Sequence, residues 1–584
     1  MLDFLTREPD LYTTLLPEDW RQFFEHHNIA DIIDLLLRDD IEPLLAAYKQ
    51  GDVAGQEWRG VAVLPPLSLL DFIQNIRRLT LRRKFAPGDS EKAKIPPRIA
   101  VGMKVKKYHE VAHFSKYVNS LCNTVQQERG DEISHIVDFG SGQNYLGRTL
   151  ASPPYIRHII AIERKHQFIN GAKDMDIYAK MTEKKRVQLY NKKLDKRKGR
   201  KGPEAAGGDP DSAQSEPNSK PDEERAAGDD EGTAEINDLG DISVTADELG
   251  SFPRGNGHVE KPAPEANTPR GAMDYIEHEI KDGYLEPIIE DVVASANDTD
   301  RKSDQRNANV MVVSLHSCGN LLHHGVRALV LNPSVKAIAM VGCCYNLMTE
   351  RLGPATYKLP VLRTMHPRLS KDAAAYDPHG FPMSKRLEEY EHDGGSGVKL
   401  NITARSMAVQ APYNWSTDEA ENFFTRHHYR TLLQRVLVDR GVIPKPSIPK
   451  ELYGAEPDKP EDVGNPLIVG SLRKGAFVSF QEYVRAAVAK LSRDPGYGEK
   501  VKEGMAGITD EELGRYASEY GPSKKRLSVT WTLMSFCAAV AEAIIAVDRW
   551  QYLREQDCVK ECWVEPVFDY GESPRNLAVV GIKK

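Results

Sequence analysis

The chain has 584 residues, of which 40% are hydrophobic and 28% charged, as in a globular protein that buries a sizeable core. This length predicts two or more folded units, and the formal net charge of −7 excludes a uniformly basic surface for nucleic acid, although not a local basic patch. Seven cysteines without dense spacing exclude a disulfide scaffold and favour a reducing compartment.

Residues 1–100 are predicted to form a helical N-terminal region. The segment LPEDWRQFFEHHNIADIIDLLLR spaces its apolar residues three and four apart, and Pro17 suits the start of a helix. The first residues are acidic where a secretory signal would be basic and then apolar. We therefore expect an intracellular protein, cytoplasmic or nuclear, whose N-terminal helices offer a surface for a protein partner.

Residues 101–183 are predicted to begin an α/β domain. The amphipathic segment GMKVKKYHEVAHFSKYVNSLCNTV leads into ISHIVDFGSG and then RHIIAIE, which are short β-branched runs that end at glycine or at an acidic residue. Strands that alternate with helices predict a parallel sheet covered on both faces.

Residues 184–270 interrupt this pattern. The segment is polar and almost free of aromatic residues, so it cannot bury enough apolar surface to offset its chain entropy, and we expect disorder. It opens with a basic run at 192–201, which is either a nuclear import signal, a nonspecific RNA contact or a plain basic stretch.

Residues 271–584 are predicted to complete the α/β domain, with helical insertions. Three further strands are expected in MDYIEHEIKDG, NVMVVSLHSCG and VKAIAMVGCCY, helices at about 415–440 and 527–553, and a closing hairpin in ECWVEPVFD and LAVVGIKK. The longest apolar stretch, WTLMSFCAAVAEAIIAV, is shorter than a membrane span and carries Glu542. It is therefore predicted to be a core helix, without membrane contact.

The segment IVDFGSGQNYLG carries the clearest chemical pattern. A strand ends at Asp138, and Gly140 and Gly142 let the following loop turn tightly and approach a ligand. Glu163, at the tip of the next strand, is placed to accept both hydroxyls of a ribose. A tight strand-to-helix turn is the alternative for the loop alone, but the combination favours a nucleoside site.

The cofactor bound there is predicted to be S-adenosylmethionine. The spacing GSGQNYLG lacks the third glycine of the dinucleotide pattern GxGxxG. The Asp138 carboxylate would repel a pyrophosphate, whereas it suits the positive sulfonium and amino groups of the methyl donor.

The motifs DFGSGQNYLG, VSLHSCGNL, VGCCYNLMTE, GFPMSKRL and RNLAVVGIK resemble those of the methyltransferase-like protein 25 family, a group that includes proteins named for a ribosomal RNA adenine dimethylase domain. The resemblance runs from about Met103 to the C-terminus, interrupted by the polar insertion. LHSCG and GCCY are also similar to the tRNA 2′-O-methyltransferases that carry a CHHC zinc finger, a motif that is not visible here. The resemblance implies a class I, Rossmann-like fold with a seven-stranded sheet that binds S-adenosylmethionine.

Carried over residue by residue, the resemblance implies a set of cofactor contacts. The methionine end would lie against the glycine loop, the ribose on Glu163 and the adenine amino group on Asp282, which is expected to close a strand. A solvated acidic turn is the alternative for Asp282. Lys107 and His109, in the segment KVKKYHE, would also reach the site; a solvated helix face is the alternative for that segment. The complete predicted cofactor set is Lys107, Asp138, Gly140, Ser141, Gly142, Gln143, Glu163, Asp282, Leu315 and His316.

The predicted catalytic residues His316, Cys318 and Tyr345 follow the fourth and fifth strands, where open α/β sheets bind ligands. His316 is either a general base or a hydrogen-bonded strand-end histidine. Zinc binding by Cys318, Cys343, Cys344 and His316 is an alternative, but the spacing lacks the paired CxxC of zinc sites. We therefore expect the cysteines to be small buried hydrophobic residues and expect no metal.

The acceptor is predicted to be RNA, through the likeness to the tRNA enzymes; a protein acceptor and a binding module without turnover are the alternatives. Adenine dimethylation is disfavoured because LHSCGN stands where adenine N6 enzymes usually carry N/D-P-P-Y/W, and the SPPY at 152–155 falls between the first two strands, where a turn is predicted. Lys385 and Arg386 are either contacts to RNA phosphate or a plain surface pair.

Overall fold

The structure is a computed structural model that describes residues 2–7, 10–85, 94–182, 270–297, 308–352, 377–393, 395–445 and 466–584. All but the last residue of the predicted insertion 184–270, including the basic run 192–201, lies outside the described residues.

A seven-stranded mixed sheet forms the centre of the protein, as the sequence predicts, with the strand order β3-β2-β1-β4-β5-β9-β8. Strands β1 to β5 are parallel, and β9 pairs antiparallel with both β5 and β8. A separate two-stranded hairpin is formed by β6 and β7. The bounds are His135–Phe139 (β1), Ile159–Glu163 (β2), Met273–Glu277 (β3), Val310–Ser317 (β4), Val335–Gly342 (β5), Glu391–His392 (β6), Gly395–Ser396 (β7), Val559–Pro566 (β8) and Leu577–Lys583 (β9).

The central strands are apolar on both faces because helices cover the sheet on both sides. Nearly every residue of β1, β2, β4 and β5 is buried, whereas β3 at the edge is half-buried. Asp138 in β1 is level with Ala161 of β2 and Val313 of β4. The chain order changes direction between β1 and β4, and in open α/β sheets such a switch point opens a crevice at the carboxyl ends of the strands.

Helices make up most of the remaining described chain. The predicted helices near 415–440 and 527–553 are Thr417–Asp439 and Ser523–Arg554. Short 3₁₀ turns occur at Tyr345–Leu347, Pro412–Asn414 and Lys474–Phe477. The other helices are Leu11–Leu15, Glu18–His26, Ile29–Leu37, Glu42–Gln50, Leu67–Leu79, Pro97–Ala100, Val105–Arg129, Tyr145–Leu150, His166–Tyr178, Glu286–Asn297, Leu321–Leu331, Lys385–Glu388, Ile402–Ala408, Phe480–Leu491, Gly498–Gly504 and Asp510–Glu519.

The long helix Ser523–Arg554 connects the N-terminal helices with the sheet. Its first half packs in one apolar core with side chains of the N-terminal helices, such as Phe23 and Leu70, and Leu553 near its end packs under the sheet. The helix is long and apolar enough to cross a membrane, but 72% of its most apolar window is buried inside the protein. In this structure it is a core helix.

Candidate active site

The loop after β1 contains two glycines whose surroundings differ. Gly140 and Gly142 both have positive φ, 65° and 54°, which side chains rarely allow. A Cβ at Gly140 would lie 3.1 Å from Leu321 Cδ2, a tight contact that would require the leucine to move slightly, whereas a Cβ at Gly142 would meet no atom within 4 Å. The backbone at Gly142 therefore faces open space.

Glu163 joins the loops that follow β1 and β2. Its Oε2 accepts a hydrogen bond from the Gly142 N–H at 3.1 Å, and its Oε1 accepts one from the Lys165 N–H at 3.0 Å. A carboxylate has about four acceptor positions, so two of them remain for other donors. The structure thus brings Glu163 and the glycine loop together, as a ribose site requires.

Asp138 is a buried carboxylate, only 4% exposed, at the end of β1. Burial raises its pKa to about 7; the Lys107 ammonium opposes this rise, and the Glu163 carboxylate adds to it. A buried carboxylate with this pKa gains from a second cation placed against it, because the charge of the cation offsets the lost hydration.

Ser141 carries a hydroxyl that has no partner in the described part of the chain. Its Oγ is buried and makes no hydrogen bond there, which is uncommon for a buried polar group.

Gln143, predicted among the cofactor contacts, is placed differently by the structure. Its side-chain amide lies against helix His166–Tyr178, where a Cβ at Gly171 would come within 2.9 Å of Gln143 Oε1, and its backbone carbonyl accepts a hydrogen bond from Arg148 at 2.7 Å. Gln143 therefore supports the loop from behind.

A buried polar network under the glycine loop was missed by sequence reasoning. Arg148 Nε donates to Asp176 Oδ1 at 2.7 Å, and the Tyr275 hydroxyl donates to Asp176 Oδ2 at 2.6 Å. Asn144 Nδ2 donates in turn to the Tyr275 oxygen at 2.7 Å. Asn144 and Arg148 belong to helix Tyr145–Leu150 and its cap, whereas Asp176 and Tyr275 come from a later helix and from β3, so no local sequence signal could have joined all four.

His316 at the end of β4 faces Glu110 of helix Val105–Arg129. His316 Nε2 lies 3.1 Å from Glu110 Oε2, and Glu110 Oε1 accepts a hydrogen bond from the Ser573 hydroxyl at 2.7 Å. Burial alone would raise the pKa of Glu110, but His316, Lys107 and Ser573 lower it to about 2. Because Glu110 is a carboxylate that only accepts, His316 Nε2 carries the proton and Nδ1 is left as an acceptor.

The surroundings of His316 favour its neutral form. Partial burial and the Lys107 ammonium lower the pKa of His316, although Glu110 opposes this. The side chain is still 38% exposed, so it can be reached from solvent. Sequence reasoning missed Glu110, although it lies three residues after Lys107, on the same helix face.

Lys107 belongs to this group of side chains, whereas His109 does not. The Lys107 ammonium interacts electrostatically with Glu110, Asp138 and Cys343, and burial lowers the pKa of Lys107. His109 Nε2 instead accepts the Asp569 N–H at 3.0 Å. The expectation that His109 reaches the site is thereby corrected.

The ends of β4 and β5 bring three cysteine sulfurs into mutual contact. Cys318 Sγ lies 3.4 Å from Cys343 Sγ and 3.3 Å from Cys344 Sγ, and the last two are 3.4 Å apart. Hydrogen bonds from the other two thiols lower the pKa of Cys344. Cys318 is exposed and the others are half-buried, so the prediction of small buried hydrophobic residues is wrong for Cys318.

Tyr345, predicted to be catalytic, is 4% exposed and belongs to a buried polar cluster. Its hydroxyl donates to Glu542 Oε1 at 2.8 Å, and Arg575 donates to the same oxygen at 2.7 Å. The hydroxyl of Tyr345 is thus committed to a structural contact. Leu315, also predicted at the cofactor, is 5% exposed and packs in the main core beside the sheet.

The expectation that Asp282 closes a strand is wrong. Strand β3 ends at Glu277, and the exposed Asp282 lies in the following loop, where its Oδ1 accepts the Tyr284 N–H at 2.8 Å. The loop lines an open cavity of about 760 Å³ that reaches Arg164, the residue after Glu163. The cavity is lined by Arg164, Glu277, His278, Glu279, Ile280, Lys281, Asp282, Tyr284 and Ile288.

Lys385 and Arg386 begin a short helix that is anchored on the long one. Their backbone N–H groups donate to the Glu555 carboxylate at 2.8 and 3.1 Å, and the Ser384 hydroxyl donates to Asp548 at 2.6 Å. Both basic residues are exposed. A contact of these side chains with RNA stays a prediction.

Comparisons with known proteins bear on the same part of the chain. Residues 106–351 match a family described as "Methyltransferase domain". The chain is 27% identical over 303 residues to "Probable methyltransferase-like protein 25" of Mus musculus, covering 52% of this chain and 40% of that protein. It is 25% identical over 274 residues to the protein of the same name in Homo sapiens, covering 47% and 37%. The matched part thus spans about two fifths of these relatives, and no solved structure matches the chain.

Proposed function

We propose that this chain is an S-adenosylmethionine-dependent methyltransferase and that RNA is its acceptor. The premise is that the chain carries a methyltransferase domain and resembles methyltransferase-like protein 25. The observation that supports the cofactor most directly is the convergence of a buried Asp138 carboxylate, an open backbone at Gly142 and the Glu163 carboxylate on one edge of the sheet.

The residues at this edge fit the cofactor in charge and in hydrogen-bonding capacity. Asp138 would face the cationic methionine end, and the free hydroxyl of Ser141 would supply a hydrogen bond that the protein itself leaves unmade. Glu163 would hold the ribose with its remaining acceptor positions. The cavity that begins at Arg164 and includes Asp282 leaves room for the adenine end.

When bound, S-adenosylmethionine supplies a methyl group on a good leaving group, so alignment of the acceptor is the main task left to the protein. His316 is suited to take a proton from an acceptor at Nδ1, because Glu110 holds Nε2 and the neutral ring is favoured. Ser573 fixes the orientation of Glu110 and hence of the imidazole. Lys107 interacts electrostatically with both Asp138 and Glu110 and opposes a second positive charge on His316.

Exposed basic residues beside the site support an acidic acceptor. Lys104 and Lys106 are exposed at the start of helix Val105–Arg129, and Lys106 acts electrostatically on His316. Arg164 is also exposed; it pairs with Glu279 at 3.3 Å and acts electrostatically on Cys318. The overall charge is negative, so RNA phosphates would be bound by this local group and not by the whole surface. The N-terminal helices would be free to bind a protein partner.

Calorimetry with S-adenosylmethionine tests the cofactor. We expect saturable binding that Asp138→Ala abolishes. Asp174 is an exposed carboxylate on helix His166–Tyr178, and the control variant Asp174→Ala should leave binding intact. Absence of binding to the unchanged protein contradicts the proposal as a whole.

Methyl labelling tests the acceptor. Total RNA and protein from cells that lack this protein are incubated with the purified chain and tritiated S-adenosylmethionine, and incorporation into each fraction is compared with that catalysed by His316→Ala. Transfer into RNA supports the proposal. Transfer into protein alone identifies a protein methyltransferase, and binding without any transfer identifies a binding module.

A further inference from the structure

Three cysteine sulfurs meet at the carboxyl ends of β4 and β5, beside the proposed methyl-transfer site but outside its cofactor contacts. The parallel pairing of Ser317 with Gly342 places Cys318 next to Cys343 and Cys344, although 25 residues separate them in sequence. Among the described residues, these three form the one group of potential ligand atoms that lie within 4.8 Å of one another.

The backbone holds the three sulfurs in this arrangement. The Gly319 N–H donates to the Cys344 carbonyl at 3.1 Å, and the Cys343 N–H donates to the Ser317 carbonyl at 3.4 Å. Gly319 has a φ of 56°, and a Cβ there would lie 2.7 Å from the Leu347 carbonyl oxygen, so only glycine fits without a shift. Close backbone contacts therefore hold the three cysteines next to one another, whichever rotamers their side chains adopt.

The distances between the sulfurs are close to those of a metal–thiolate site. Zinc binds thiolates at about 2.3 Å, which separates tetrahedral ligands by about 3.8 Å, so each sulfur here would move outward by only about 0.2 Å. A disulfide requires about 2.05 Å and thus an approach of more than 1 Å. Cys122 and Met311, which pack together in the core, are 3.8 Å apart at their sulfurs, farther than any pair in the cluster.

Basic groups surround the cluster. Lys107 interacts electrostatically with Cys343, Arg164 with Cys318 and Arg575 with Cys344. Three thiolates with one divalent cation carry a net charge of −1, which these groups can balance.

We propose that Cys318, Cys343 and Cys344 bind one zinc ion through their three sulfurs, and that the exposure of Cys318 leaves the fourth tetrahedral position open to solvent. Soft sulfur ligands in a compact group select zinc over the oxygen-preferring divalent cations. Each thiol that still carries its proton releases it to the solvent when the ion binds, and no electron is transferred. A catalytic zinc site typically combines three protein ligands with one open position, which is the arrangement inferred here.

Metal analysis of the full chain tests the site. The protein is purified with a non-chelating reductant, loaded with Zn²⁺ alone, passed through gel filtration and analysed for metal; in parallel, Co²⁺ replaces Zn²⁺ and its thiolate charge-transfer absorption is recorded. We expect one equivalent of zinc per chain, lost in Cys318→Ser and in Cys344→Ser. Cys558→Ser, in a cysteine pair outside the cluster, is the matched control and should keep the full equivalent.

A measurement on the unchanged protein covers the case in which the serine variants fail to fold. Alkylation of Cys318, Cys343 and Cys344 by iodoacetamide, mapped by peptide mass spectrometry, should slow at least tenfold with Zn²⁺ and recover after chelation, while alkylation of Cys558 stays the same. Less than one retained equivalent of zinc, equal retention by Cys318→Ser, or thiols that zinc does not protect would each overturn the proposal. Because neither assay contains S-adenosylmethionine, failure of the methyltransferase proposal is recognised separately.

Discussion

The Glu163 carboxylate accepts a hydrogen bond from the Gly142 backbone N–H at 3.1 Å, so the tip of β2 holds the glycine loop that follows β1. The second oxygen of Glu163 accepts the Lys165 N–H, which fixes the orientation of the carboxylate. Because both loops are held by one side chain, the proposed ribose contact and the open backbone beside it exist before any ligand arrives. Such preorganisation removes part of the entropic cost of binding.

Replacement of Glu163 should therefore weaken cofactor binding in two ways. Glu163→Ala removes a charged acceptor and also leaves the Gly142 and Lys165 N–H groups unpaired. Hydrogen bonds to a charged group contribute about 1.5–3 kcal/mol, so we expect a loss of affinity of about 10- to 150-fold. Calorimetry with S-adenosylmethionine measures this, with Glu128→Ala as an exposed control. An unchanged dissociation constant would exclude Glu163 from the binding site.

The raised pKa of Asp138 predicts that cofactor affinity increases with pH. The charged carboxylate attracts the cationic ligand, and with a pKa of about 7 this form falls from about 90% at pH 8 to about 10% at pH 6. We expect about tenfold weaker binding at pH 6 than at pH 8. Lys107 and Glu163 are the charged groups that act on Asp138. Asp138→Asn should bind weakly at both pH values, and an equally steep dependence in that variant would assign the titration to another group.

Ser141 allows a test that separates a ligand contact from a structural role. Its buried hydroxyl has no partner in the described chain, so Ser141→Ala should leave the stability of the free protein unchanged or raise it by up to about 1 kcal/mol. The same change should weaken S-adenosylmethionine binding by about 2- to 10-fold, the usual contribution of one neutral hydrogen bond.

Ser573→Ala is the contrasting variant to Ser141→Ala. The Ser573 hydroxyl is buried and bonded to Glu110 at 2.7 Å, so its removal should lower the free energy of unfolding by about 1–3 kcal/mol. Denaturant unfolding and calorimetry are measured on both variants. A clear loss of stability in Ser141→Ala would show that its hydroxyl serves the fold.

The sheet could be predicted because its central strands carry an unbroken local signal. Strands β1, β2, β4 and β5 are buried on both faces, so each appears in the sequence as a short continuous apolar run that ends at glycine or a polar residue. The edge strand β3 was predicted too long because MDYIEHEIKD alternates polar and apolar residues beyond Glu277, where pairing with β2 stops.

The candidate site could be predicted only where its residues directly follow a strand. Asp138 is the penultimate residue of β1 and Glu163 is the last residue of the neighbouring β2, so sheet geometry alone brings them to one edge. The prediction for Tyr345 applied the same rule, but position in the chain does not determine where a side chain points. Cys318 and Cys343 directly follow β4 and β5, so the same rule brings their sulfurs together. Glu110 instead lies on a helix outside the sheet, and spacing in the sequence does not report its contact with His316.

Glu542 lies within the most apolar helix and is expected to be essential for stability. It accepts hydrogen bonds from Arg575 and Tyr345 and pairs with Arg83, which links the long helix to the segments at both ends of the chain. Removal of one member of a buried ion pair leaves the other charge uncompensated, which costs about 3–5 kcal/mol. Glu542→Ala should therefore lower the free energy of unfolding by about that amount, as measured with urea.

Tyr345→Phe separates this structural role from catalysis at the same cluster. The variant removes one hydrogen bond to Glu542 but keeps the aromatic ring over which the Arg549 and Arg575 guanidinium groups lie. We therefore expect the free energy of unfolding to fall by about 1–2 kcal/mol, less than in Glu542→Ala. Because the hydroxyl is bound to Glu542 and 4% of the residue is exposed, methyl transfer by the folded variant should keep the unchanged kcat. A hundredfold fall in kcat at unchanged stability would restore Tyr345 as a catalytic residue.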